Sequence, residues 1–137
     1  MHIASMIGTH PHVQGNTNDT LIRAIEEAYA CAATCRLCAD ACLGEAMVAD
    51  LTQCIRLNLD CADVCAATAT VAGRRTGSNE PVIKWMLKVC AEACATCASE
   101  CEQHSGMHEH CRICAEHCRR CERACREAAE TITPSRP

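Results

Sequence analysis

Cys111-Arg112-Ile113-Cys114-Ala115-Glu116-His117-Cys118-Arg119-Arg120-Cys121-Glu122-Arg123-Ala124-Cys125 decides the fold. Its five cysteines stand 3, 4, 3 and 4 residues apart. At 3.6 residues per turn, that spacing keeps all five sulfurs within an arc of roughly 80° on one helix face. Arg112, Glu116, Arg119, Arg120, Glu122, Arg123 and, just beyond, Arg126 occupy the other faces, as the charged side of an amphipathic helix should. The inward stripe of this helix is made of thiols instead of leucines.

The same rhythm recurs three times upstream. Cys31, Cys35, Cys38 and Cys42 run 4, 3, 4, and so do Cys90, Cys94, Cys97 and Cys101. The remaining set is Cys54, Cys61 and Cys65, with Asn58 where the rhythm would place a fourth thiol. All 16 cysteines belong to one of these four ladders, and none falls in an expected loop.

Four such stripes in a chain of 137 residues predict an all-α fold, an antiparallel four-helix bundle with a cysteine-lined core. The first helix starts near Thr17-Asn18-Asp19, a run of good N-cap residues, and ends at Leu43 before Gly44. The second runs from about Ala46 to Ala72, and residues 73–77 break the chain. Asn79 and Pro81 open the third, which runs to about His104. The fourth spans about Met107 to Thr131, where prolines follow. Residues 1–16 are expected to be a flexible leader, 17–133 the four-helix bundle and 134–137 a C-terminal tail. In the leader, His2, His10 and His12 offer auxiliary copper or zinc ligation as the alternative to a loose segment.

Short connections make neighbours antiparallel, which gathers the thiols in the half of the bundle near the 44–45 and 105–106 turns. The longest ladder covers about 21 Å at 1.5 Å per residue. Leu21, Ile22, Ile25, Val71, Ile83, Met86, Leu87 and Ile132 are expected to close the other end. His104, Met107, His108 and His110 fall near the open end, with Met47, as a soft thioether and imidazole entrance for metal. His117 lies further off the thiol arc and reads as an interfacial residue.

Composition excludes several classes. The conventional core is thin, with no Phe, one Trp and one Tyr. The net charge is −4, and the arginines of the last helix are paired with acids at i+4, so nucleic acid is not an expected partner. No apolar stretch reaches membrane-spanning length, and the first residues carry no basic signal region, so a cytoplasmic location is expected. Thiols stay reduced there.

Several chemistries compete for sixteen inward thiols. Disulfides along one helical stripe would constrain little. The iron–sulfur run C-x₂-C-x₂-C-x₃-C is absent. Zinc takes four thiolates in a tetrahedron, and filling the tube with such units buries two negative charges per metal. Cu(I) favours soft thiolates. If each copper takes two thiolates and each thiolate bridges two coppers, one ion per cysteine cancels the charge, about 16 in all. A thiol oxidoreductase would need an exposed, low-pKa cysteine, for which Cys111-x-x-Cys114 is the nearest candidate; an enzyme is not expected. Zinc-binding and thiol-redox readings remain the alternatives to copper.

The ladders at Cys31–Cys42, Cys61–Cys65, Cys90–Cys101 and Cys111–Cys125, with the His/Met-bearing end, resemble the bacterial copper storage proteins. The resemblance covers about residues 17–131. It implies a four-helix bundle that fills with many Cu(I) ions and associates as a homotetramer. A copper donor or acceptor protein is a further candidate partner, and the sequence names none. The family has exported and cytosolic members, and this chain is similar to the cytosolic branch. Asn58 departs from the ladder, offering either an amide oxygen or a missing ligand.

Overall fold

The computed structural model describes residues 2–133; the expected tail 134–137 lies outside the described residues. The elements in chain order are α1 (Ile3–Gly8), α2 (Asp19–Leu43), a 3₁₀ turn (Val48–Leu51), α3 (Thr52–Ala72), α4 (Glu80–His104) and α5 (Glu109–Thr131). No strand occurs among the described residues. The four long helices form a square, α2 against α3 and α5, and α4 against α3 and α5.

Local chemistry sets the ends of these helices. Asn18 caps α2: it sits in the left-handed region at φ 53° and its side chain accepts the Leu21 N–H at 3.1 Å. The same amide donates to Thr131 Oγ1 at 3.1 Å, tying the start of α2 to the end of α5. Pro81 occupies the first turn of α4, where a missing N–H costs nothing. Gly44 and Gly73 cap α2 and α3.

Two stretches differ from the sequence expectation. The second long helix begins at Thr52 and not near Ala46, because residues 44–51 cross the top of the bundle as a turn and a 3₁₀ segment. Leu51 is driven fully inward there, 1% exposed, while Met47 stays outside. The leader also carries structure: α1 and the turn after it bury Ile7 and Val13 against the aliphatic end. His10 Nε2 lies 3.0 Å from Thr76 Oγ1, and His10 Nδ1 accepts the His12 N–H at 3.0 Å. Both His10 nitrogens are thus engaged within the protein.

The core has two halves. Leu21, Ile22, Ile25, Ile83, Leu87 and Ile132 are buried at one end, with Val71 and Met86 half-buried. Each large aliphatic side chain stabilises the fold by about 1.5–3 kcal/mol without any metal. Toward the other end the large residues give way to cysteine, and Ala28, Ala91, Ala98 and Ala128 let the helices approach closely. Outside, Arg119 bonds Glu102 (2.9 Å) and Glu122 (3.0 Å), Arg126 reaches Glu92 (3.3 Å), and Arg120 reaches Glu27 (3.2 Å). The pairs with Glu102, Glu92 and Glu27 hold α5 to α4 and α2, each weakly because it is solvated, while that with Glu122 lies within α5.

Candidate metal centre

All sixteen cysteines are free and buried. The helical spacing turns each ladder inward, and the antiparallel order sets the four ladders side by side. At the inner end, the Cys90 sulfur is 3.6 Å from that of Cys65, and Cys121 is 3.9 Å from Cys125. Further out, Cys65 and Cys94 stand 3.6 Å apart, as do Cys35 and Cys118. Cys54 and Cys101 are 3.7 Å apart nearer the 44–51 turn.

Donor atoms within 4.8 Å of one another form sets that overlap. Cys31, Cys65, Cys94 and Cys121 make one, and Cys31 belongs again with Cys35, Cys61 and Cys118. Cys35 and Cys118 recur with Cys97 and Cys114; Cys114 recurs with Cys38 and Cys101; Cys38 recurs with Cys42, Cys111 and His110. Neighbouring sets share one or two sulfurs all the way to the entrance. The lining is one continuous path of ligands.

Asn58 interrupts the thiols without breaking the path. It is fully buried, and its Oδ1 accepts from Cys97 (3.1 Å), Cys114 (3.4 Å) and Cys101 (3.6 Å). Its Nδ2 donates to Cys54 at 3.8 Å. A buried amide is costly only when unpaired, and this one is paired at both ends. The position reads as an oxygen donor facing the ladder.

Burial is the leading influence on two thiols near the entrance, Cys42 and Cys111. It pushes the Cys42 thiol up to about 11, and is likewise the leading cause that raises Cys111. Both are neutral thiols near pH 7, so a metal taken up there expels protons. Cys54 goes the other way, lowered first by the Cys101 hydrogen bond, then by Cys38, with the charge of His104 adding to them.

Carboxylates govern the imidazoles at the entrance. Glu45 Oε2 lies 2.9 Å from His110 Nε2 and 2.8 Å from His108 Nδ1, and the two rings stack 5.5 Å apart. The His110 hydrogen bond is the leading cause holding Glu45 below the usual carboxylate range, so the carboxylate accepts and Nε2 carries the proton. His110 Nδ1 then faces Cys38 at 3.4 Å and Cys111 at 3.7 Å. His104 Nε2 pairs with Glu100 at 2.7 Å.

The geometry therefore gathers the sixteen cysteines with His110 and sets His104 and His108 beside them through their acids. Met107 is 76% exposed in the turn before α5, outside the thiol lining. His117 is half-buried, its Nδ1 enclosed without a hydrogen-bond partner. Sequence reasoning missed Glu45 and Glu100. Glu100 stands four residues before His104, a spacing that pairs side chains on a helix, whereas Glu45 meets His110 across 65 residues and leaves no local signal.

Residues 17–130 match the family described as Csp, copper storage protein. The chain belongs to this copper storage family. A solved relative is the copper storage protein Ccsp from Streptomyces lividans loaded with 10 copper equivalents, 50% identical with a TM-score of 0.89 over 93% of this chain and 98% of that one. The five-copper form, described as a cytosolic copper storage protein from the same organism, is 55% identical with a TM-score of 0.81 over 82% and 94%. The Cu(I)-bound copper storage protein BsCsp3, from Bacillus subtilis, is 37% identical, with a TM-score of 0.69 over 77% and 94%. Among curated proteins, the uncharacterized cysteine-rich protein YhjQ of Bacillus subtilis is 36% identical over 91 residues, 66% of this chain and 79% of its own length. The family match, residues 17–130, spans the four cysteine-bearing helices.

Proposed function

We propose that this chain stores Cu(I) in the thiol-lined half of its bundle, at a load approaching one ion per cysteine. The overlap of successive donor sets carries this reading. Isolated four-thiolate sites need private ligands, whereas bridging ions need each sulfur to have neighbours on both sides, as Cys31, Cys35, Cys114 and Cys38 have. Charge supports the same cargo. A monovalent ion cancels one thiolate apiece, while a divalent ion in a buried four-thiolate site leaves two negative charges in a low-dielectric core. The copper carried by the Streptomyces and Bacillus relatives supports it further.

The ligands in this reading are the sixteen cysteines, with Asn58 as an oxygen donor along the path. His104, Met107, His108 and His110 control entry more than capacity. The bundle of residues 17–133 is the storage unit. Storage, not catalysis, is its role: Cys111 and Cys114, the best placed pair for thiol exchange, are both 0% exposed and present no attacking sulfur. The relative's cytosolic description supports a cytoplasmic location. A homotetramer is supported by the solvent-facing Val82, Trp85 and Val89, which share one face of α4 at 45%, 67% and 53% exposure and would be covered by further copies. Light scattering of the purified protein at four chain masses would support that assembly, and one chain mass would refute it.

Anaerobic titration of the reduced protein with Cu(I), against a chelator of known affinity, tests the cargo. The same titration with Zn²⁺ provides the comparison.

A further inference from the structure

The entrance set differs in kind from the rest of the lining. The inner sets are all sulfur and fully buried, whereas Cys38, Cys42 and Cys111 share theirs with an imidazole nitrogen, and His110 is half-exposed. We propose that these four residues form a mononuclear site for a tetrahedral divalent cation of the zinc class, which caps the thiol tube with one ion per chain.

Three observations carry this. The first is the donor set: three thiolates and one imidazole are among the standard ligand combinations of structural zinc. Distance is the second. Zinc bonds of about 2.3 Å to sulfur and about 2.0–2.1 Å to nitrogen give a tetrahedron whose sulfur–nitrogen edge is about 3.6 Å. His110 Nδ1 lies 3.4 Å from the Cys38 sulfur and 3.7 Å from that of Cys111, with Cys42 inside the same 4.8 Å set. The third is the support behind the ring. Glu45 holds His110 Nε2 at 2.9 Å, the carboxylate–histidine arrangement that fixes which nitrogen ligates a metal.

Electrostatics restricts such an ion to this end. Binding converts Zn²⁺ and three neutral thiols into a complex of net charge −1 and three released protons. The fully buried set Cys31, Cys65, Cys94 and Cys121 would release four protons and retain −2, far from water. Divalent occupancy is therefore confined to the entrance, and the inner path is left to monovalent ions. A cap of this kind closes the tube while copper is scarce and yields when Cu(I), the better partner for thiolate, arrives.

Co²⁺, a visible spectroscopic stand-in for zinc, tests the site on the reduced, metal-free full-length protein under nitrogen. The expected result is one tight equivalent with the strong ligand-field bands of a tetrahedral ion, bleached by one equivalent of Zn²⁺. Replacing the histidine (His110→Ala) is expected to lower Co²⁺ affinity at least tenfold and shift those bands, and Cys42→Ser to do the same. Cys94→Ser, in the inner path, is expected to leave both unchanged. Far-UV circular dichroism of each variant confirms that it is folded before titration. Three or more equivalents of equal affinity, or bands indifferent to His110→Ala, would overturn the site. Cu(I) capacity is read separately, so a protein that fills with copper yet fails with Co²⁺ loses the cap and keeps the storage function.

Discussion

The side-chain oxygen of Asn58 lies 3.1 Å from the sulfur of Cys97, and the same atom takes the thiols of Cys114 and Cys101. One amide thus stands where the second inward thiol of α3 would be and joins three helices through their cysteines. Replacing it with alanine removes the shared acceptor and leaves a void. Urea denaturation of the apo protein is expected to show a loss of about 1–3 kcal/mol. Asn58→Cys completes the 4, 3, 4 rhythm and is expected to raise Cu(I) capacity by about one ion, whereas an unchanged capacity would show that the position does not face the metal path.

The apo protein is expected to be folded. Leu21, Ile25, Leu51 and Leu87 are buried in a structure that holds no metal, and protonated thiols behave as small apolar groups. Far-UV circular dichroism of the reduced, metal-free chain should show high helicity that changes little with copper. A coil spectrum turning helical on metal addition would instead mean that folding and binding are one event.

The imidazoles at the entrance are expected to act on rate. Replacing His104 and His108 with alanine should slow Cu(I) uptake, or its removal by a chelator, several-fold while the final load stays nearly constant. Stopped-flow mixing with a chromophoric chelator separates the two quantities. Unaltered rates would leave these residues with a purely structural role beside Glu100 and Glu45.

Stability of the apo form should fall at alkaline pH. The folded protein holds the Cys42 proton up to about 11, against 9.0 for a free thiol, and Cys111 is shifted in the same direction. Between those values the unfolded chain has lost protons that the folded chain keeps, so unfolding becomes easier as pH rises. Cys54 is lowered and contributes with the opposite sign, its stabilisation fading as pH falls from 9.0 toward its folded value. Urea midpoints at pH 7.5 and pH 10.5 should differ, with the lower midpoint at the higher pH. In Cys42→Ala the difference should shrink.

The bundle and its lining were legible because both are periodic. Cys90, Cys94, Cys97 and Cys101 announce their face through spacing alone, and Asn18 and Pro81 mark helix starts by short-range chemistry. Other features depend on partners far away in the chain. Nothing near Glu45 shows that it will meet His108 and His110, and α1 is too short for Ile3 and Ile7 to reveal a period. Asn58 was visible as an irregularity, but whether its amide faced thiols or a void depended on where α4 and α5 carried Cys97 and Cys114.

Copper stoichiometry bears most directly on storage. Anaerobic Cu(I) titration of the reduced protein, read against a competing chelator, is expected to saturate near the cysteine count of about 16, because bridging thiolates each serve two ions. Removing inner cysteines such as Cys31, Cys65, Cys90 and Cys125 should lower that number stepwise. Saturation at four or fewer coppers per chain, the limit for separate four-thiolate sites, would contradict storage along a continuous path.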